Sequence, residues 1–466
     1  MSAHASFFTP MWLERASGGR WLHAPSAAVR RICHDTRHLQ AGDLYVAIRG
    51  ARLDGHTLVA EAFQKGAVAA LVDESFAQQY AAGSTDPLLI VTDVIAALGK
   101  LAATHRHRVG AWVTGVTGSV GKTTVKEITA SLLGQLGPTV RTSGNWNNHI
   151  GLPLSMLAMK QNTRFGVFEV GMNQPGEIHG LSELLTPDWA VITMIGPVHL
   201  ENFPDVEAIA NEKADLLRCL PASGAAFLYG GDPYYALLCD AAPCRVYTLS
   251  VEDEEPADFH VIVRDGFVQV YEGGQHLAGK LVSPGPGRHH LINAGLAIMV
   301  ARIAGCSMAQ IGKGFAAYRQ PPMRWEVGSC GPFTVVNDAY NANPVSMRAA
   351  LDTFAVMQAK GRKWLVLGDM LELGEYATEA HKEIGEYIGK HAWAGLVVVG
   401  IHARHVCDAA VAAGLPKDRV VAFPSVDEVG AWLLPQLAEE DVLLLKGSRG
   451  VQLERLLPVL KEKETT

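Results

Sequence analysis

The segment GVTGSVGKTT, residues 115–124, has the residue types that bind the phosphates of a nucleotide. It lies between an apolar run and the helix-like VKEITASLL, which is the strand–loop–helix context of a phosphate loop. Small residues let backbone N–H groups approach a phosphate, Lys122 supplies positive charge, and the Thr123 hydroxyl can bind Mg²⁺. We therefore predict ATP or GTP binding with Mg²⁺, the alternative being a glycine-rich turn with an exposed lysine. The expected nucleotide-binding residues are Gly118, Ser119, Gly121, Lys122, Thr123 and Thr124.

Two further side chains could complete a magnesium site beside this loop. Glu169 lies near the end of the run RFGVFEV, and His199 follows the next apolar run across IGPVHL. Because the carboxyl ends of parallel strands meet at one edge of a sheet, both side chains are expected next to the loop. Taken singly, a solvated glutamate and a structural histidine remain the alternatives.

Apolar runs alternating with helix-length segments predict an α/β fold that holds these residues. Strands are expected at residues 111–116, 165–170 and 190–195, in a parallel sheet with crossover helices. After the acidic residues 251–259, hairpin-like runs predict a β excursion from this unit.

The chain of 466 residues corresponds to about three domains. We predict a small α/β domain at residues 1–90 and a central domain at residues 91–322. Its end is marked by Pro321 and Pro322, because consecutive prolines prevent a helix from continuing. Residues 323–466 are expected to form a Rossmann-like domain. Its four expected strands are residues 363–367, 396–399, 420–423 and 442–445.

Composition excludes several classes of protein. Apolar residues make up 48% and charged residues 19%, which is typical of a globular chain rather than a disordered one. A net charge of −7 provides no broad positive field for nucleic acid. The seven cysteines include no C-x-x-C pair, and no apolar stretch is long enough for a membrane span. We therefore expect a cytoplasmic monomer that binds small molecules, without nucleic acid or membrane insertion.

Over nearly its whole length the chain resembles the Mur ligases of peptidoglycan synthesis. The motifs that carry the resemblance occur in the family's order: HDTRHLQAGDLYVAIRGARLDGH (34–56), TGSVGKTTVKE (117–127), GNWNNHIGLPLS (144–155), EVGMNQPGEI (169–178), IGPVHLENF (195–203), RHHLINA (288–294), MRWE (323–326), NDAYNANPVSM (337–347), LGDMLELGE (367–375) and KGSRG (446–450). The LGDMLELGE and NANP elements are similar to those of the family member that adds D-alanyl-D-alanine.

The resemblance implies an ATP-driven amide ligase acting on UDP-MurNAc-tripeptide and D-Ala-D-Ala through an acyl phosphate. Phosphoryl transfer of this kind relies on positioning and charge neutralisation, which Lys122, Thr123, Glu169 and His199 could supply. The resemblance also marks Lys213 as a lysine that is carbamylated in the family, so that it could bind Mg²⁺ together with Thr123, Glu169 and His199. An ordinary solvated lysine is the alternative.

The resemblance assigns further binding residues in all three domains. Asn293 is similar to an adenine-contacting asparagine, Asp338 to a ribose-contacting aspartate, and Arg324 to an arginine that reaches the phosphates. Four residues are implied on the substrate side, the first two at a uridine-nucleotide site: Thr36, Arg37, Asn147 and Asn148. Asp54, Gly55 and His56 lie near that uridine site in the family's pattern.

Some positions depart from the family pattern or have no assigned role. The family usually has His-Asn where this chain has His289-His290, and other departures are Met323, Asn202 and the LYGGDP element. In the family, these positions belong to the adenine pocket, the interdomain hinge and a turn of the central domain. In the KGSRG segment, Lys446, Ser448 and Arg449 could bind the dipeptide carboxylate or a phosphate, or form a solvated turn. His381 has no assigned role.

One expectation follows for the whole molecule. Because Lys122 and Arg324 belong to different domains, the ATP site can be complete only when the domains close.

The rival functions are an amino-acid-adding Mur ligase, a folylpolyglutamate-synthase-like ligase, and a P-loop nucleotide switch. The DTR and DGH motifs favour a uridine-nucleotide substrate.

Overall fold

The computed structural model describes residues 8–80, 84–283 and 285–462. It contains three α/β units along the chain, each built on its own sheet, which confirms the predicted fold class. Within the described ranges, no helix has the length and apolar character needed to cross a membrane. All seven cysteines are free thiols.

The first unit has a five-stranded sheet in the order β1-β5-β4-β3-β2, parallel except for β1. Strands β3 and β5 are buried throughout, as expected for parallel strands covered on both faces. A 3₁₀ turn, Gly55–Leu58, leads directly into α2. The elements are α1 Pro10–Ser17, β1 Arg20–Trp21, β2 Arg31–Cys33, β3 Asp43–Val46, α2 Val59–Gln64, β4 Ala69–Asp73, α3 Glu74–Tyr80 and β5 Leu88–Val91.

The central unit has a nine-stranded sheet in the order β14-β13-β12-β11-β10-β9-β6-β8-β7. Its helices and strands begin with α4, which follows β5 directly. The helices are α4 Val94–Val109, α5 Lys122–Leu133, α6 Gly151–Leu157, α7 Glu177–Leu185, α8 Val206–Arg218, α9 Tyr235–Ala241, α10 Arg288–Ile303 and α11 Met308–Ala317. The strands are β6 Trp112–Thr117, β7 Thr139–Arg141, β8 Phe165–Glu169, β9 Trp189–Ile192, β10 Ala225–Tyr229, β11 Arg245–Val251, β12 Phe259–Arg264, β13 Phe267–Glu272 and β14 Gln275–Leu281.

One expectation for this unit was wrong. The hairpins after residue 259 do not leave the sheet, because β12 pairs in parallel with β11. Strands β13 and β14 then extend the sheet in antiparallel fashion. Helix α10 begins at Arg288. His289, His290 and Asn293 therefore share one helical face, since residues three and four apart are neighbours on a helix.

The third unit has a six-stranded sheet in the order β15-β16-β20-β17-β18-β19, parallel except for β15. All four predicted strands are present as β17 to β20. The hairpin of β15 and β16 was not predicted, because β15 is largely exposed and has no apolar run. The elements are β15 Glu326–Cys330, β16 Phe333–Asn337, α12 Pro344–Val356, β17 Lys363–Gly368, α13 Ala377–Gly389, β18 Gly395–Val399, α14 Ala403–Ala412, β19 Val420–Phe423, α15 Val429–Leu433, β20 Val442–Lys446 and α16 Leu456–Lys461.

The carboxyl ends of neighbouring strands bring the chemically interesting loops together. In the central sheet, β9, β6 and β8 are adjacent, and the phosphate loop follows β6. In the third sheet, β16, β20 and β17 are adjacent. Side chains that follow these two sets of strands line a single cavity, as the crevice rule for open α/β sheets predicts.

Candidate functional site

The cavity between the central and third units has a volume of about 300 Å³. The central unit contributes the phosphate loop from Ser119 to Thr124 together with the side chains that follow β8 and β9. The third unit contributes Arg324, Asp338, Tyr340 and Glu372. The site is therefore assembled from two units, as the sequence predicts for the nucleotide.

The phosphate loop has a backbone that only small residues can adopt. Gly118 has a φ of 145°, and a Cβ atom there would lie 2.0 Å from Thr193 Oγ1. Ser119 Oγ donates to Gly196 O at 2.9 Å and accepts from Gly196 N at 3.0 Å, which fixes the loop to the segment after β9. The amino end of α5 then points its free N–H groups at the cavity, where they can bind an anion.

Lys122 is the half-buried cation of this loop. Its Nζ donates to Gly118 O at 2.7 Å. Burial lowers the pKa of Lys122, and the charge of Glu169 opposes that shift. A bound phosphate would give this ammonium an anionic partner and so favour its charged form.

Glu169 joins three segments at the end of β8. Its Oε2 accepts a hydrogen bond from Thr123 Oγ1 at 2.9 Å, and its Oε1 accepts one from Asn147 Nδ2 at 2.9 Å. Its backbone N–H donates to Thr142 Oγ1 at 2.9 Å. The structure thus brings together three of the predicted site residues, Thr123, Asn147 and Glu169.

His199 lies across the cavity in a left-handed backbone conformation, with a φ of 53°. Its Nδ1 is 2.7 Å from Glu372 Oε2, an ion-pair distance when the imidazole is protonated. The hydrogen bond and charge of His199 hold the pKa of Glu372 below its usual value. His199 therefore contacts the third unit rather than Glu169 or Thr123.

Lys213 lies on α8 and is only 1% exposed. Burial, reinforced by the charge of Lys122, holds the pKa of Lys213 well below its usual value. The lysine is not among the side chains that line the cavity. Lys213 is therefore buried, in contrast to the solvated lysine that was the alternative.

The donor set fits a magnesium ion that keeps most of its water or phosphate ligands. Among the described residues, no group of three or more His, Cys, Asp or Glu side chains is arranged to hold a metal. Mg²⁺ is commonly bound by one or two carboxylates together with phosphate oxygens, rather than by a full protein cage. The buried Glu169 carboxylate beside the Thr123 hydroxyl provides that minimum.

Arg324 reaches the phosphate loop from the third unit. Its Nη2 donates to Thr123 Oγ1 at 3.0 Å, and its guanidinium stacks on the Tyr340 ring at 4.2 Å. Asp338 is nearby, where Oδ2 accepts from Lys446 Nζ at 2.6 Å and Oδ1 accepts from Trp325 N at 3.0 Å. These contacts add positive charge and a fixed carboxylate to the same cavity.

Asn293 and His290 line the cavity from α10. A Cβ atom on Gly121 would lie 2.3 Å from Asn293 Oδ1, so this amide packs directly on the phosphate loop. Burial lowers the pKa of His290 to about 4. Within the described residues neither ring nitrogen of His290 has a hydrogen-bond partner. A neutral imidazole there offers one donor and one acceptor to a ligand.

The two substrate residues of the first unit do not line this cavity. Thr36 is buried, whereas the Arg37 side chain is 82% exposed and pairs with Asp35 at 2.7 Å. The adjacent His34 ring meets Trp146 edge-on at 5.3 Å. Because Trp146 immediately precedes Asn147, the first unit lies next to the substrate side of the cavity.

Several predicted or unassigned residues have local roles. Asn148 lines the cavity, and its Oδ1 accepts from Gly151 N at 2.9 Å at the start of α6. Asp54 Oδ1 accepts from His56 N at 3.0 Å, and His56 Nε2 accepts from Asp73 N at 3.2 Å. The DGH motif therefore stabilises the first unit's own loops.

The KGSRG segment and His381 both support the loop after β17. Ser448 Oγ accepts from Leu371 N at 3.0 Å, and His381 Nε2 accepts from Met370 N at 3.0 Å. Lys446 is occupied by Asp338, and Arg449 pairs with Glu454. Both cations of the KGSRG segment therefore have carboxylate partners in this structure.

Sequence reasoning missed Glu372, which lines the cavity, and the buried Lys126, which does not line it. Glu372 belongs to the LGDMLELGE motif, but no local signal linked it to His199. Lys126 is fully buried, and its Nζ donates to Thr142 O at 2.8 Å and Gly144 O at 3.1 Å. Lys126 lies between Val125 and Glu127 in the chain, so no local signal marked its burial.

Comparison with known proteins places these features in one family. The Mur ligase family catalytic domain matches residues 28–106, the Mur ligase middle domain residues 116–301, and the Mur ligase glutamate ligase domain residues 323–449. The UDP-N-acetylmuramoyl-tripeptide–D-alanyl-D-alanine ligase of Bacillus subtilis (strain 168) is 33% identical over 440 residues, covering 93% of each chain.

Solved structures of similar proteins cover the same length. A crystal structure of MurF from Acinetobacter baumannii superposes with a TM-score of 0.85 at 29% identity, covering 98% of this chain and 99% of that one. The MurF ligase of Thermotoga maritima in complex with ADP has a TM-score of 0.78 at 26% identity, covering 94% of this chain and 98% of that one.

Proposed function

The chain belongs to the Mur ligase family, and from that premise we infer that it joins D-alanyl-D-alanine to UDP-N-acetylmuramoyl-tripeptide in peptidoglycan precursor synthesis. The observation that carries this inference is the 33% identity to the Bacillus subtilis ligase over 93% of both chains. The reaction is an ATP-dependent amide ligation with ADP and phosphate as products.

The cavity has the charges that such a phosphoryl transfer needs. Lys122 and the amino end of α5 lie where the phosphates of ATP bind in a P-loop, and Arg324 adds a second cation from the third unit. A tripeptide carboxylate oxygen attacks the γ-phosphorus and ADP leaves, giving an acyl phosphate. The dipeptide amine then attacks the acyl carbon, phosphate leaves, and the amine loses its proton.

We propose that Thr123, Glu169 and His199 hold Mg²⁺, with Lys213 joining them as a carbamate. Bound Mg²⁺ neutralises charge on the phosphate oxygens. A carbamate forms when an unprotonated lysine amine adds to CO₂ and releases one proton. The burial that lowers the pKa of Lys213 supports this modification, because it favours the unprotonated amine.

The remaining binding residues are proposed from family resemblance together with their positions. Asn293 and Asp338 line the nucleotide cavity, which supports contacts with adenine and ribose. Thr36 and Arg37 would bind the uridine nucleotide, while Asn147 and Asn148 line the substrate side. The corresponding domains are residues 1–90, 91–322 and 323–466, of which residues 1–7, 81–83, 284 and 463–466 lie outside the described ranges.

The test is phosphate release and product formation with each substrate alone and with both together. We expect a new amide product only when ATP, UDP-MurNAc-tripeptide and D-Ala-D-Ala are all present. Equal use of free amino acids would instead indicate an amino-acid-adding ligase. Equal ATP hydrolysis without a carboxylate substrate would indicate a nucleotide switch.

Replacing Lys122 tests the phosphate loop directly. We expect Lys122→Ala to lower kcat by about 10²- to 10³-fold, the size typical of losing one group that stabilises developing charge. The matched control is Lys160→Ala, which removes an exposed lysine of the same unit and should leave kcat unchanged. Full activity of Lys122→Ala would contradict the proposed function.

A further inference from the structure

The loop after β17 is fixed to the third unit by hydrogen bonds at three consecutive residues. Asp369 Oδ2 accepts from Ile401 N at 2.8 Å, Met370 N donates to His381, and Leu371 N donates to Ser448. Three consecutive residues are thus anchored to different parts of the third unit. The next residue, Glu372, has a left-handed φ of 65°. Such a conformation in a non-glycine residue persists only where the surroundings over-determine it.

This loop presents the Glu372 carboxylate to the central unit. Oε2 lies 2.7 Å from His199 Nδ1, while the side chain remains 47% exposed. Within the part of the chain that the structure describes, the other oxygen, Oε1, has no hydrogen-bond partner. Glu372 also lines the cavity that contains Lys122, so its free oxygen is available to a group approaching the phosphates.

The other carboxylates of the cavity already accept hydrogen bonds. Glu169 uses both oxygens for Thr123 and Asn147, and Asp338 uses both for Lys446 and Trp325 N. Glu177 Oε2 accepts from the backbone N–H groups of Asn173 and Gln174, in the loop before α7. Among the described carboxylates that line the cavity, Glu177 and Glu372 therefore each have one oxygen without a hydrogen-bond partner, and Glu372 is the one that lies beside His199.

The charges of the substrates indicate which of them the free oxygen of Glu372 would bind. ATP and the tripeptide carboxylate are anions, and the cavity offers them Lys122 and Arg324. The incoming dipeptide instead carries an ammonium group, which needs an anionic partner when it leaves water. A carboxylate beside His199 and Lys122 would hold that nitrogen close to the acyl phosphate, where proximity accelerates attack.

We propose that Glu372 is the anchor for the ammonium group of the incoming D-alanyl-D-alanine. The proposal rests on the proposed function and adds the subsite for its second substrate. It also assigns a positioning role to the KGSRG segment and His381, because their hydrogen bonds hold the loop that carries Glu372.

The experiment compares wild-type protein with Glu372→Gln, which keeps the shape of the side chain and removes its charge. We expect the KM for D-Ala-D-Ala to rise about 10- to 100-fold, the range for losing a charge-assisted hydrogen bond. The KM values for ATP and UDP-MurNAc-tripeptide should stay within about 2-fold of wild type, because those anions bind elsewhere. Glu372→Asp, which retains the charge, should show a smaller rise.

The matched control is Glu375→Gln, which removes an exposed carboxylate from the same loop and should leave all three KM values unchanged. A second measurement uses N-acetyl-D-Ala-D-Ala, which has no ammonium group, as an inhibitor. Wild-type protein should bind it more weakly than D-Ala-D-Ala, and Glu372→Gln should lose that preference.

Two results separate failure of this inference from failure of the proposed function. If wild-type protein is active but Glu372→Gln lowers kcat and raises the Mg²⁺ requirement with an unchanged dipeptide KM, Glu372 only positions His199 and the ammonium subsite is wrong. If wild-type protein forms no amide product from the three substrates, the proposed function itself is wrong.

Discussion

His290 combines burial with two unpartnered ring nitrogens. It lies on α10, three residues before Asn293. The family pattern has asparagine at the position that His290 occupies here. The neighbouring His289 ring lies 4.1 Å away, and burial together with the charge of His290 holds the pKa of His289 well below its usual value. Both rings are therefore neutral near pH 7, and they leave the positive charge of the cavity to Lys122 and Arg324.

This environment predicts a specific loss of stability in acid. The pKa of His290 is about 4 in the folded protein and 6.5 in its ordinary state, so the unfolded chain binds more protons between these values. Stability contributed by neutral His290 is present above pH 6.5 and is lost as the pH falls toward 4, by at most about 3 kcal/mol. We expect Tm to fall less between pH 7 and pH 4.5 in His290→Asn than in wild type, as measured by thermal scanning.

The exposed His23 provides the matched control, and His23→Asn should leave the acid dependence of Tm unchanged. Identical pH profiles for His290→Asn and wild type would show that His290 is not the group responsible.

Helices α7 and α8 form a pair in which one helix caps the other. Helix α7 has no side-chain cap of its own, because Gly176 precedes it with a φ of 86°. Glu212 on α8 instead accepts from Gly176 N at 2.8 Å and from Ile178 N at 2.9 Å. A negative charge at this end also complements the helix dipole. The cap fixes the start of α7 next to Lys213.

Removing this cap should destabilise the central unit. Glu212→Gln replaces one accepting oxygen with an amide that cannot accept, so one of the two N–H groups loses its partner. We expect a loss of about 1 to 2 kcal/mol, seen as a lower Tm or a lower denaturant midpoint.

The comparison variant is Glu207→Gln, which removes an exposed charge from the same helix and should change stability little. Equal stability of both variants would mean that the cap contributes nothing measurable.

At the scale of the molecule, the third unit contacts the central unit through residues of the site itself. Arg324 reaches Thr123, and Glu372 reaches His199. Next to these contacts, Gly374 has a φ of 54°, and a Cβ atom there would lie 3.0 Å from Glu201 Cα. The backbones of the two units approach closely at this glycine, so we expect closure of the units to be coupled to catalysis.

A branched side chain at Gly374 should therefore hold the units apart. We expect Gly374→Val to lower kcat by at least about 10²-fold, since a displacement of about 1 Å can misplace reacting groups by that much. Small-angle scattering with an ATP analogue and both substrates should give a larger radius of gyration than wild type.

Gly328→Val is the matched control, because no heavy atom lies within 4 Å of the Cβ position at this exposed glycine. A radius of gyration equal to that of wild type in Gly374→Val, with normal turnover, would contradict coupling between closure and catalysis.

Local patterns in the sequence were sufficient to predict the α/β fold class, three strands of the central sheet and four strands of the third sheet. Each parallel strand is a short apolar run whose burial does not depend on its exact neighbours, as in β8 and β20. The rule that strand ends meet at one edge also placed Glu169 beside the phosphate loop. The exposed edge strand β15 carries no such signal, and it was missed for that reason.

Contacts between distant segments could be seen only in the tertiary structure. The pairing of His199 with Glu372, the burial of Lys213 and the support that Ser448 and His381 give to one loop all join residues far apart in the chain. Residue types and spacing determined which groups could bind a nucleotide. Packing decided their charge states and partners, because desolvation and hydrogen bonding depend on what the fold brings within a few ångströms.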